Sequence, residues 1–143
     1  MNRRLTRSEI VKILFGMEFD REYDTNYIDE YINHFADENS EDLVFDERKL
    51  DIDLVKKTIN DVITNKEEID GLINEYSKDW KLNRIAKVDM TIMRVAIAEM
   101  LYNNDIPVSV SINEAVNTCK EYSEENSSKF INGVLGSISR RNG

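Results

Sequence analysis

His34 is the only histidine and Cys119 the only cysteine, and these two counts already remove most catalytic chemistry. A HExxH zinc helix needs two histidines, a CxxC knuckle needs paired cysteines, and neither can be built here. Nothing specific remains for Ser-His-Asp or Cys-His catalysis. His34 reads as a partly exposed residue on a helix, and Cys119 falls on an apolar stripe, where core packing outweighs use as a nucleophile. Carboxylates are plentiful, but chance pairs such as Asp51 and Asp53 mean little, since residues two apart on a helix do not face each other. No GxxxxGKS/T loop or GxGxxG turn offers a phosphate cradle. We therefore expect no enzyme, no catalytic residue, no metal and no cofactor.

The residues that can do chemistry are cations. Arg3, Arg4, Arg7 and Lys12 crowd the first twelve positions against Glu9 alone, and Lys129, Arg140 and Arg141 close the chain without an acid. From Glu18 to Asp53 the balance inverts, with 14 Asp or Glu against Arg21, Arg48 and Lys49. A net charge of −9 argues against nucleic acid for a uniform surface. Screening confines each patch to about 10 Å, however, so basic ends on an acidic body keep their own field. Single-stranded RNA asks for cations on phosphate and for aromatic or guanidinium planes on bases. Arg3, Arg4 and Arg7 can act as a phosphate clamp or be a merely solvated terminus.

The elements that must position these cations read as helices. Five glycines and one proline are too few for the turns of an all-β fold. Ile10, Ile13, Leu14 and Met17 share one face of a helix predicted from Thr6 to Phe19, with Thr6 and Glu9 as a capping box. Ile28, Tyr31, Ile32 and Phe35 mark a second helix over Thr25 to Asp37, and the acidic stretch from Glu38 to Leu50 reads as a connection. Ile52, Val55, Ile59, Val62 and Ile63 form a third stripe. Asn65 is expected to cap a fourth helix carrying Ile69, Leu72, Ile73 and Tyr76. After a turn from Trp80 to Ala86, Val88 to Tyr102 is apolar nearly all round and should be the central helix. Val108, Val110 and Ile112 alternate as in a strand, yet Ser111 with Glu114 makes a capping box. The expectation is an extended lead-in and a helix from Ile112 to Tyr122. A last helix is predicted from Ser128 to Ser139, with Gly133 marking a close helix–helix approach. The whole is expected to be an all-α single domain, residues 1–143, of about seven helices. Arg94 and Glu99 are five apart, so each should find its partner on another helix. Asn113 and Glu114 read as structural, and Trp80 as core.

Several ordered motifs in the second half resemble the NusB family of transcription antitermination factors. Trp80, Arg84 and Ile85 match W-x-x-x-R-I; Asp89, Arg94, Ala96 and Glu99-Met100-Leu101 match D-x-x-x-x-R-x-A-x-x-E-L-L, with Met100 where leucine is common. Pro107 to Val116 reads PVSVSINEAV and matches P-x-x-V-x-I-N-E-A-V; Lys129 to Leu135 reads KFINGVL and matches K-F-x-N-G-V-L. Arg3, Arg4 and Arg7 ahead of Leu14-Phe15 also look like the family, whereas Tyr23 to Leu50 carries no motif of it.

The resemblance implies a NusB-like helical bundle and a partnership with NusE, the small-subunit ribosomal protein that doubles as an elongation factor. It also implies binding to boxA-type single-stranded RNA of ribosomal RNA leaders, within a complex that keeps RNA polymerase elongating. Lys129 and Phe130 would join Arg3, Arg4 and Arg7 at the RNA, although Phe130 also fits the core stripe with Val134. Phe15 and Asp89 match positions that touch the protein partner. Monomer and homodimer both stay open. Two other readings compete: an adaptor that binds a protein but no RNA, and an accessory domain of a ribosomal-RNA methyltransferase, which the lack of a Rossmann-type region disfavours. With no apolar run long enough for a bilayer and no signal peptide, we expect a cytoplasmic protein without membrane contact.

Overall fold

The computed structural model describes residues 3–20, 50–77, 85–123 and 125–141. Among them are six helices and no strand: α1 (Arg3–Asp20), α2 (Ile52–Thr64), α3 (Lys66–Tyr76), α4 (Lys87–Tyr102), α5 (Val108–Tyr122) and α6 (Glu125–Arg140). The helix expected over residues 25–37, most of the acidic connection, His34 and the Trp80–Arg84 motif lie outside the described residues.

α4 is the axis of the bundle. Every residue from Asp89 to Glu99 is buried, and each of the other five helices packs against it. The remaining helices are one-sided, as their stripes predict. α1 buries Ile10, Val11, Ile13, Leu14 and Met17; α2 Leu54, Val55, Ile59 and Val62; α3 Ile69, Leu72 and Ile73; α6 Ile131, Val134, Leu135 and Ile138. Cys119 lies in the same core. None of the described helices is long and apolar enough to cross a membrane.

The helix starts are where sequence and structure part. α1 begins at Arg3, so Thr6 is inside the helix, and its Oγ1 accepts the backbone N–H of Asp51 at 3.1 Å. Asp51 is itself the cap of α2, its Oδ1 accepting from the N–H of Leu54 at 3.1 Å. A chain that caps one helix is thus tied to the flank of another. α5 begins at Val108, directly after Pro107, with no extended lead-in. Proline fixes a backbone shape suited to the entry of a helix and has no N–H to leave unpaired. Val108 and Val110 consequently lie exposed on helical turns. α6 begins at Glu125, a turn earlier than expected. Asn65 joins α2 to α3, but its Nδ2 donates back to the Asp61 carbonyl at 3.0 Å and does not cap the helix ahead. Gly133 does not mark a close approach: it is exposed, and a Cβ built there meets nothing within 4 Å.

Candidate nucleic-acid interface

The three N-terminal arginines of α1 have different fates. Arg3 and Arg4 are exposed. Arg7, one turn further in, is turned inward with a side chain only 6% exposed, against a Glu99 carboxylate that is 1% exposed. Its Nε lies 3.2 and 3.0 Å from the two carboxylate oxygens, and its Nη2 lies 3.0 Å from Oε1. Ser111 of α5 donates its Oγ to the same Oε1 at 3.0 Å. The knot therefore ties α1, α4 and α5 together. This corrects the expectation of Arg7 as an accessible phosphate ligand: the donors that would meet a phosphate are occupied by a buried carboxylate. Charge burial explains the choice, because an unpaired Glu99 at this depth would be strongly unfavourable.

Arg4 points outward. Its Nε and Nη2 lie 3.3 and 3.4 Å from the carboxylate of Glu114 on α5. The hydrogen bond and the charge of Glu114 hold the guanidinium above its ordinary range, with a smaller push from Glu121. Between α1 and α5, over the floor made by Ile92, Val95 and Ala96 of α4, lies a small, shallow cleft. Arg7, Glu99 and Ser111 line its wall, with Glu114 and Thr118 along α5. The side chains of Ser8 and Tyr122 link the same two helices by a hydrogen bond.

Lys129 is exposed on α6, while Phe130 is half-buried against the core. Because α6 starts at Glu125, Lys129 sits in the second turn, inside the free N–H groups of the helix start. The anion attraction expected from the helix end therefore acts a turn away from it. α1 and α6 both pack on α4, so the two basic segments are carried on one scaffold. For the partner-facing pair, Phe15 is half-buried on α1. Asp89 is not an accessible contact: it is buried in the first turn of α4 and accepts the Ser123 hydroxyl, with the Cys119 thiol 4.0 Å away. Burial, then the charge of Asp89, pushes that thiol up.

The pairing expected of the two central charges holds. Arg94 meets Asp70 of α3 at 2.8 and 3.1 Å and Glu18 of α1 at 3.1 Å. The residue missed by sequence reasoning is Glu114, which reads as structural from the INEA motif and stands instead at the exposed guanidinium of Arg4. No sequence signal joins positions 110 residues apart without the fold.

The NusB family model matches residues 4–140. The chain belongs to the NusB family. The transcription antitermination protein NusB of Acetivibrio thermocellus is 41% identical over 138 residues, covering 96% of this chain and 88% of that protein. That of Alkaliphilus oremlandii is 38% identical over 143 residues, covering 100% and 96%. Among solved structures, NusB of T. maritima superposes with a TM-score of 0.78 at 34% identity, covering 99% of this chain and 92% of that one. The NusB fold also appears in a crystal structure of NusB and NusE in complex with dsRNA, at a TM-score of 0.75 and 21% identity, covering 96% of both chains. The motifs from Trp80 to Leu135 therefore belong to a likeness that runs through nearly the whole sequence.

Proposed function

We propose that this chain is a non-catalytic transcription antitermination factor that binds boxA-type single-stranded RNA of ribosomal RNA leaders together with NusE. It would reach RNA polymerase only through that assembly, and would do so in the cytoplasm as one domain spanning residues 1–143. The observation that carries the reading is the family match over residues 4–140, which takes in Arg4, Arg7 and Lys129. The relatives are transcription antitermination proteins, and a NusB of the same fold is found with NusE and dsRNA.

In this reading Arg3, Arg4 and Lys129 meet phosphate, and the half-buried ring of Phe130 offers a stacking edge beside Lys129. Arg7 supports them from inside by fixing the first turns of α1 on α4 and α5. Phe15 faces NusE, and Asp89 holds the start of α4 against the end of α5. A net charge of −9 favours one other reading, an adaptor that binds the protein partner without RNA.

Titrating labelled boxA-type RNA with the protein, alone and with NusE at two salt concentrations, separates them. Affinity that rises with NusE and falls with salt is expected. NusE binding with no RNA binding would establish the adaptor in its place.

A further inference from the structure

Arg4 of α1 and Glu114 of α5 face each other between the two helices. The two sides of the pair are unequal: the Arg4 side chain is 69% exposed and that of Glu114 only 18%. Their separations of 3.3 and 3.4 Å exceed the roughly 2.7–2.9 Å of a tight charge-assisted bond. The guanidinium can therefore swing away into water, while the carboxylate stays seated on α5. Glu121, seven residues on along the same face of α5, adds to the negative field at Arg4. A carboxylate offers the guanidinium the same paired oxygen acceptors that a phosphate does. The buried Arg7–Glu99 pair presents no such exchange.

We propose that Glu114 is an internal competitor for RNA phosphate at Arg4. In the free protein it occupies the donors that RNA would use, and an incoming phosphate must displace it. Phosphate contacts position a nucleic acid without reading its sequence. Glu114 therefore lowers the affinity for every RNA by the same factor and leaves the ordering of sequences unchanged. The inference rests on the reading of Arg4 as an RNA contact given above.

The test is a double-mutant cycle of E114Q, R4Q and R4Q/E114Q, each with NusE. Each is titrated into a labelled boxA-type RNA and a scrambled RNA of equal length. E114Q should tighten both RNAs by about 1.4- to fivefold, the range that exposed ion pairs span, with their ratio unchanged. The gain should vanish in the R4Q background. E114D, which keeps the charge but withdraws it from Arg4, should give a smaller gain, and helical signal and thermal midpoint confirm that each variant is folded. An equal gain with Arg4 absent would make Glu114 a general repulsive charge and overturn the inference alone. A loss of affinity in E114Q would show that Glu114 presents Arg4 to the RNA, and would overturn it too. If R4Q binds like the unmodified protein, or if neither binds RNA, the reading of Arg4 itself fails and takes the inference with it.

Discussion

At the scale of single residues, burial decides which charge is free to work. Arg7 and Arg4 are three positions apart on one helix, yet one is sealed against Glu99 and the other lies in water beside Glu114. Removing Arg7 leaves Glu99 buried and uncompensated, so R7M should lose about 3–5 kcal/mol of stability by urea unfolding. R4Q should stay within about 0.5 kcal/mol of the unmodified protein, and its RNA affinity should fall with a salt slope shallower by about 0.7. If R7M were as stable as R4Q, the inward knot would be misassigned. Cys119 supplies the pH-dependent case. Burial and Asp89 raise its thiol above an ordinary value of about 8.5. The neutral thiol thus contributes stability that is fully present below that pH and is lost as pH rises through the folded value. C119A should therefore lose less stability than the unmodified protein between pH 7 and 10. Parallel loss in both would remove Cys119 as the source.

At the scale of elements, stripes were legible in the sequence and boundaries were not. Ile10, Ile13, Leu14 and Met17, or Ile131, Val134, Leu135 and Ile138, are buried as their spacing requires. The central helix is nearly apolar all round in sequence and enclosed in the structure. The helix starts went astray at Thr6 and Ser111, read as caps. Each hydroxyl lies within a helix and bonds across to another element, Thr6 to the Asp51 N–H and Ser111 to Glu99. A hydroxyl three residues before a glutamate has the same pattern whether it serves its own helix end or a neighbour, and only the packing distinguishes the two. The candidate cations could be listed from the sequence, but their arrangement could not. The partners that bury Arg7 and hold Arg4 lie 92 and 110 residues away. Gly133 shows the same limit, since a glycine in a helical stripe can mark contact or open surface. The structure gives open surface, so G133A should stabilise α6 by about 0.5–1 kcal/mol, read as a higher thermal midpoint. G71A in α3, where an added Cβ also meets nothing within 4 Å, should act alike. A fall in midpoint for G133A would restore the close approach.

At the scale of the whole molecule, the acidic body and the basic ends make opposite demands on RNA, and ionic strength separates them. With a net charge of −9, a long-range field would repel RNA, but at about 0.1 M salt that field is screened beyond about 10 Å. On the proposed reading what remains is local: phosphates would be held at Arg3, Arg4 and Lys129. For single strands each neutralised phosphate contributes about 0.7 to the slope of log affinity against log salt. Three contacts thus give a slope near −2 for the protein without its partner. This slope should be nearly independent of RNA sequence, because the contacts are to backbone. R3Q/R4Q should shift it toward −0.7, leaving Lys129, while the net charge moves only from −9 to −11. A variant that neutralises two exposed lysines of α2, Lys56 and Lys57, makes the same change in net charge away from both basic segments. It should leave the slope where it was. If the two double variants shift the slope equally, binding follows overall charge and no local clamp exists. If only R3Q/R4Q does so, a protein acidic overall binds RNA through a few local cations at the start of α1.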